Sequence, residues 1–349
     1  MALPIRRTIP LAFVAAALAG CADGYYLQAA SGHVELMSSR EDIADLIAEE
    51  STPEELRAQL LIVTGALAFA ADELALPDNG SYRDFVDVGR PFVTWNVVAA
   101  PALSLDPIEH CFPVAGCVAY RGYFDRDEAI AVADELRAEG NDASVTGARA
   151  YSTLGWFRDP VPSTIVFDAP YDLVGTIFHE LAHQRVYVAG DTTFNESYAV
   201  TVERAGIEAW LAEIGDAGLT ADYRLRAARR DAFFDLLLGA RADLAALYAS
   251  PASEEGKLAG KARIFAELGA DYERLKRSWG GYAGFDGFFG TDLNNAKLAL
   301  VATYNSAVPA FEALLAAEGG DFAAFHEAVE ALAALPPAER AAFTAGGGM

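Results

Sequence analysis

His179-Glu180-Leu181-Ala182-His183, followed a dozen residues later by Asn195-Glu196, is the stretch that decides how this 349-residue chain is read. Two imidazoles at i and i+4 share one face of a helix, so both can aim a nitrogen at a single ion. Glu180 lies between them, offset around the helix, where it can take a proton from an attacking water. Glu196 supplies a third, oxygen ligand. Two His and one carboxylate with an open fourth position form the ligand set of a catalytic zinc site, with one Zn2+ per chain. The chain has five His in all, so two in this register is not a product of abundance.

Working outward, Asp172 to Val188 carries apolar residues at 173, 174, 177, 178, 181, 182 and 186, which is helical spacing. Pro170 stands ahead of it and Gly190 behind it, a start and a stop. Phe194-Asn195-Glu196-Ser197 opens a second helical pattern, with Asn195 as its expected cap and Glu196 in its first turn. A short link between the two lets them pack as a hairpin around one ion. Asp191, in the turn, is a weaker candidate ligand. Glu203, two turns down from Glu196, reads most simply as a solvated charge, or else as a group holding a ligand His by its far nitrogen.

The N-terminus reads as an export signal. Arg6 and Arg7 precede an apolar run from Ile9 to Ala19, too short for a membrane-spanning helix. Residues 1–20 are therefore expected to be a signal peptide. Leu18-Ala19-Gly20-Cys21 has the form of a bacterial lipobox, which predicts lipid on Cys21 and a membrane anchor that does not span. Ala22 at the following position favours the outer membrane, with the protein facing the periplasm. Loss of the leader takes away Arg6 and Arg7 and moves the formal charge from −24 to about −26. So acidic a chain excludes nucleic acid as a partner and a basic patch as its membrane contact. In an oxidising compartment Cys111 and Cys117 predict a small-loop disulfide worth about 2 kcal/mol. His110 beside Cys111 lacks the companions of a second metal site.

The predicted fold class is α+β and predominantly helical: a mixed part to about residue 170, a helical part over about 171–335, and a tail at 336–349. The metal helix stands at the junction, within a single domain from Cys21 onward. Thr52-Pro53-Glu54-Glu55 reads as a capping box opening a helix to about Leu76. Strand-like runs lie at 92–98, 117–124 and 163–167, with a shorter one at 143–146 and a helix at 126–139. Helical periodicity then covers about 171–188, 194–214, 220–248, 252–278, 292–316 and 320–334. The Gly/aromatic stretch from Gly280 to Gly290 follows a helix, so it is no dinucleotide fingerprint. It reads as a lid, a pocket wall or a plain connector. Without a G-x-S-x-G frame, Ser152 reads as a strand residue rather than a nucleophile.

The blocks CFPVAGCVAYRGYF at 111–124, AYSTLGWFRDP at 150–160, IFHELAHQ at 177–184 and FNES at 194–197 resemble a family of predicted aminopeptidases, lipoproteins of Gram-negative bacteria. NNAKL at 294–298 and VPAF at 308–311 are weaker matches. The resemblance implies a zinc peptidase of the thermolysin-like superfamily acting on peptides in the cell envelope. Its gap between His183 and Glu196 is shorter than in thermolysin. On that reading Glu180 is the general base, and a tyrosine donates to the oxyanion. Tyr304 is the first choice, with Tyr187 and Tyr198 behind it. An envelope endopeptidase, and a non-catalytic lipoprotein with a structural metal, stay open beside the aminopeptidase. A structural zinc wants four protein ligands, and three are apparent.

Overall fold

Among the residues described by the computed structural model, 24–112, 116–290, 293–305 and 307–346, every strand lies between positions 41 and 162, and helices take over from 163. The result is a predominantly helical α+β fold with thirteen α-helices and three small sheets. Cys21 and the leader fall outside the described residues, as do the side chains of 302–306. No described helix is long and apolar enough to cross a membrane.

The sheet that matters for the site has Thr94–Pro101 at its centre, antiparallel to Arg121–Tyr123 on one side and Asn141–Ala148 on the other. Helix Arg126–Ala138 covers one face, burying Ala129 and Ala133 against Trp95, Val97 and Tyr123. Two smaller sheets complete the mixed part. One pairs Asp84–Val86 with Glu41–Asp42 and, in parallel, with Val161–Pro162. The other is the hairpin His110–Phe112/Gly116–Val118, in which Cys111 and Cys117 are directly opposed and joined as a disulfide. The hairpin rests on the turn between the two site helices: a Cβ at Gly116 would come within 2.4 Å of the Gly190 nitrogen, so neither backbone could approach if residue 116 carried a side chain.

The site helices are Pro170–Arg185 and Thr192–Ile214. Pro170 occupies the first turn, where its missing N–H costs nothing. Two glycines set how closely these helices pack. A Cβ on Gly175 would lie 2.5 Å from Ile207 Cδ1, and one on Gly206 would lie 2.8 Å from Phe178 Cδ2. Removing those two side chains lets the helix surfaces meet one turn from His179 and one turn from Glu203. The seam is filled by Ile177, Phe178 and Leu181 from the first helix and Phe194, Tyr198 and Val202 from the second, all buried. Phe311 and Phe325 close it from later helices. Each such side chain contributes about 1.5–3 kcal/mol through burial, so His179, His183 and Glu196 stand on helices anchored in the hydrophobic core.

Several expectations are corrected. Residues 163–167 are not a strand: Ser163–Val166 is one helical turn, and the pairing falls on Val161–Pro162 just before it. Thr164, Ile165 and Val166 are all buried, and a short apolar run has no periodicity by which to tell strand from buried helix. The run 117–124 breaks at Ala119-Tyr120 into strands of two different sheets. The stretch 292–316 divides into Asn295–Asn305 and Val308–Ala317, the second with Pro309 in its first turn, where a proline cannot continue a helix from before it. The capping box at Thr52 does not form; Pro53 is the cap, without a side-chain bond, and the helix runs Glu54–Asp72. Helix Gly24–Ser38 was not foreseen, and it packs Gly32 beneath the Phe124 ring. The tail is not featureless either. Pro337–Thr344 is a helix, tied down by buried Phe343 and by Arg340, which donates to Asp191 at 2.9 Å.

Candidate metal centre and cleft

His179 and His183 lie on successive turns of Pro170–Arg185, and their Nε2 atoms are 3.1 Å apart. Glu196, in the second turn of the facing helix, brings Oε2 to 3.4 Å from His179 Nε2 and 3.6 Å from His183 Nε2. Three electron-pair donors of the right kinds therefore make a triangle with edges of 3.1–3.6 Å. A tetrahedral ion held at the usual zinc–ligand distances of about 2.0–2.1 Å separates its ligands by about 3.3 Å. His183 and Glu196 are buried and His179 is half-buried, and the three make the only His/Cys/Asp/Glu group of metal-binding shape among the described residues. It can hold a metal ion.

The surroundings orient the ligands. Glu203 Oε2 lies 3.1 Å from His179 Nδ1. A carboxylate there accepts the Nδ1 proton, which leaves Nε2 with its lone pair toward the cluster. Glu203 is therefore a positioning residue, and the simpler reading of a solvated charge gives way. The signal for it was present as the seven-residue spacing from Glu196, but nothing in the sequence said which face of the second helix turns to His179. Burial by itself would raise the carboxyl groups of both glutamates. The imidazoles more than offset it: Glu203 is held below the ordinary range by His179, and Glu196 is brought to about 2 by His183 and His179. Glu203→Ala should weaken metal binding about 10–100-fold, read by competition against a chromophoric chelator. An unchanged affinity would take the positioning role away from Glu203.

The start of the ligand helix differs from expectation. Asp191, not Asn195, is the N-cap, accepting from Phe194 N at 3.3 Å. It also takes the ion pair to Arg340, so it is no metal ligand. Asn195 instead closes the inter-helix turn, donating from Nδ2 to the Val188 carbonyl and accepting from Val188 N, both at 2.8 Å. That pair of hydrogen bonds fixes the register of the next residue, Glu196.

A cleft of about 580 Å³ opens over the cluster. His179, His183, Glu180 and Glu196 form its floor, and Thr94 and Asn96 of the central strand form one wall. Both sheet edges reach it, through Tyr120 and Gly122 on one side and Ala148 on the other. Glu180 faces this space without belonging to the ligand triangle. Its negative charge is felt by the buried Asp159, whose carboxyl is pushed up to about 6, mainly by burial. Asp159 accepts from Thr153 N, Thr153 Oγ1 and Gln184 Nε2, and so clamps the segment 152–159 beside the metal helix. Ser152 lies on that segment, in a loop and not a strand.

Tyrosines distribute differently from expectation. Tyr198 is fully buried and bonds His326 Nδ1 at 2.9 Å, far from the cleft wall, and His326 is accordingly a core residue that also meets the Leu74 carbonyl. Tyr304 is on helix Asn295–Asn305, with its side chain outside the described part. Tyr187 and Tyr120 both line the cleft. Burial raises the phenol pKa of each, with Glu196 adding to both and Glu180 to Tyr120, so both are O–H donors at neutral pH. Sequence reasoning missed Tyr120. Its one trace was its place in the CVAYRGYF block, where the chain crosses from one sheet to the next. His110 sits on the disulfide hairpin and joins no ligand cluster.

The family model described as "Putative aminopeptidase" matches residues 24–344, nearly the whole described chain. No curated protein and no solved structure matches it.

Proposed function

Since this chain belongs to the "Putative aminopeptidase" family, we propose that it is a zinc-dependent aminopeptidase that removes N-terminal residues from peptides. The observation that carries the metal half of this reading is the His179/His183/Glu196 triangle. When bound there, zinc supplies a Lewis acid that polarises a carbonyl and makes water a nucleophile near neutral pH. The chain's own groups do the rest. Glu180, on the cleft side of the same helix, accepts the proton of the attacking water and returns it to the leaving amine. Four tyrosines line the cleft, Tyr25, Tyr120, Tyr151 and Tyr187, and the two that feel the charge of Glu196, Tyr120 and Tyr187, are the donors to the developing oxyanion. Glu203 keeps His179 in the tautomer that presents Nε2.

One observation favours a second reading. The only acids among the described cleft residues are Glu180 and Glu196, both already committed. An aminopeptidase must pair the substrate's free ammonium, because an unpaired buried charge is very costly. An endopeptidase needs no such partner. No Lys or Arg lines the cleft either, which argues against recognition of a free C-terminal carboxylate. Substrate blocking decides between the two readings. For an aminopeptidase, N-acetylation of a peptide should cut hydrolysis by orders of magnitude, and mass spectrometry should show single residues leaving unblocked peptides in order. Internal cleavage of acetylated and free peptides at comparable rates would overturn the exopeptidase assignment and leave the metal assignment standing.

A further inference from the structure

Behind His179, on the other face of the sheet, lies a second and larger space of about 850 Å³. Side-chain alternation along the central strand separates the two: Thr94 and Asn96 face the cleft, whereas Trp95 faces this cavity. Phe92 lies flat across Gly147, where a Cβ would fall 2.1 Å from the ring, and the pair shapes one wall. Phe288 forms another. It belongs to the Gly280–Gly290 stretch, which is thus a pocket wall held in place by stacking of Phe285 on Phe233 and Phe289 on Tyr272, ring centroids 4.2 Å apart in each case.

The charge of this cavity runs against the chain. Acids outnumber bases 50 to 26 overall, yet the lining holds Arg126, Arg137, Arg204, Arg230 and Lys297 against one acid, Glu203, which is engaged with His179. Arg137 and Lys297 are spent on backbone carbonyls, those of Ala143 and Phe288. Arg204 and Arg230 are held by long ion pairs, to Asp231 and Glu312 for the first and to Glu203 and Asp231 for the second, and Arg230 also meets the Tyr223 hydroxyl. Their nearest carboxylate oxygens stand at 3.4–3.9 Å, and both Nε atoms are buried without a hydrogen-bond partner. Buried donors left this way are costly, and an anion between them would satisfy them.

We propose that this cavity is a binding site for a small organic monoanion with an apolar body, a carboxylate of the medium-chain acyl or aryl type. Its head would sit between Arg204 and Arg230, and its body against Phe92, Trp95 and Phe288. The size suits such a ligand, since pockets for small molecules commonly run from about 300 to 1,000 Å³. The site does not depend on the peptidase reading. It is separated from the cleft by the sheet and by the His179–Glu203 pair.

The test is competition on the full chain. The fluorescent aryl sulfonate 1-anilinonaphthalene-8-sulfonate should bind, and decanoate should displace it, while 1-decanol at equal concentration should not. Arg204→Gln with Arg230→Gln should weaken decanoate binding on the order of tenfold or more, the range expected for charge-assisted hydrogen bonds. Leu300→Trp, which fills the cavity from helix Asn295–Asn305, should weaken it too. Equal displacement by decanol would show a merely apolar groove and overturn the proposal, as would an affinity within about twofold in a folded arginine double variant. Should the arginine pair prove necessary for folding, the decanoate–decanol comparison on the unaltered chain decides alone.

Discussion

Glu180→Gln should lower peptide hydrolysis by about 10²–10⁴, the range a positioned general base contributes, and should leave metal content unchanged. The two halves of this expectation come from different atoms. Metal content follows the triangle of His179, His183 and Glu196, in which Glu180 takes no part. The role proposed for Glu180 needs a group that faces the cleft and can accept a proton, and Glu180 is a carboxylate lining that space, one residue along the helix from His179. Gln is close to Glu in volume and keeps a carbonyl oxygen, so it fills the same place without the basicity. The change also removes a negative charge near Asp159 and Tyr120, so folding should not suffer. Steady-state peptide hydrolysis, with metal analysis of the same sample, checks it. Residual activity within about tenfold of the unaltered chain would remove Glu180 from the role of base and leave the metal site in place.

The cluster of His179, His183 and Glu196 was legible in the sequence because helix periodicity fixes angle: two His four apart must share a face whatever the rest of the fold does. The same logic placed Glu196 on a second helix near the first, since the intervening link is short. It could not place Glu203, because its value depends on how two helices rotate against each other. That rotation is set by Gly175 and Gly206, whose significance appears only once Ile207 and Phe178 are seen lying where side chains would be. Tyr120 was hidden for a related reason. It sits at a corner where one strand-like run serves two sheets, and a strand pattern read as continuous gives a corner residue no special direction. The fold class was visible in the ordering of patterns, strands early and helices late. What failed were short apolar runs such as 163–167 and local capping signals such as Thr52, which makes no side-chain cap, and Asn195, whose side chain had a stronger tertiary use. Asn195 shows this plainly: its expected helix cap is taken over by Asp191, and its amide closes the turn at Val188 instead. The Gly280–Gly290 stretch carried three open readings, and only packing onto Phe233 and Tyr272 selects the wall.

His179→Ala combined with His183→Ala should take bound zinc from about one ion per chain to essentially none. The argument rests on what remains. Glu196 alone offers one oxygen donor, Glu180 lies outside the triangle, and Glu203 is spaced from the cluster by the His179 ring itself. A single carboxylate competes poorly with water for zinc, whereas two imidazoles and a carboxylate, pre-positioned by packed helices, meet the ion with little reorganisation. The double substitution also strands the buried Glu196 carboxylate. In the intact chain the imidazoles hold the Glu196 carboxyl near 2 against burial that would raise it. A group whose pKa is depressed by folding adds stability above its ordinary carboxylate range, and that addition fades as pH falls toward 2. Without the imidazoles burial prevails, and the contribution turns unfavourable at neutral pH. The variant should therefore unfold at a lower temperature than the metal-stripped unaltered chain at pH 7, with the gap narrowing in mild acid. Zinc added back should raise the Tm of the stripped unaltered chain, because a ligand that binds only the folded state stabilises it by mass action, and should leave the variant's Tm where it was. Metal analysis after dialysis and thermal unfolding with and without zinc read both effects. Zinc retained at unchanged stoichiometry in the double variant would mean that the ion lies elsewhere in the chain.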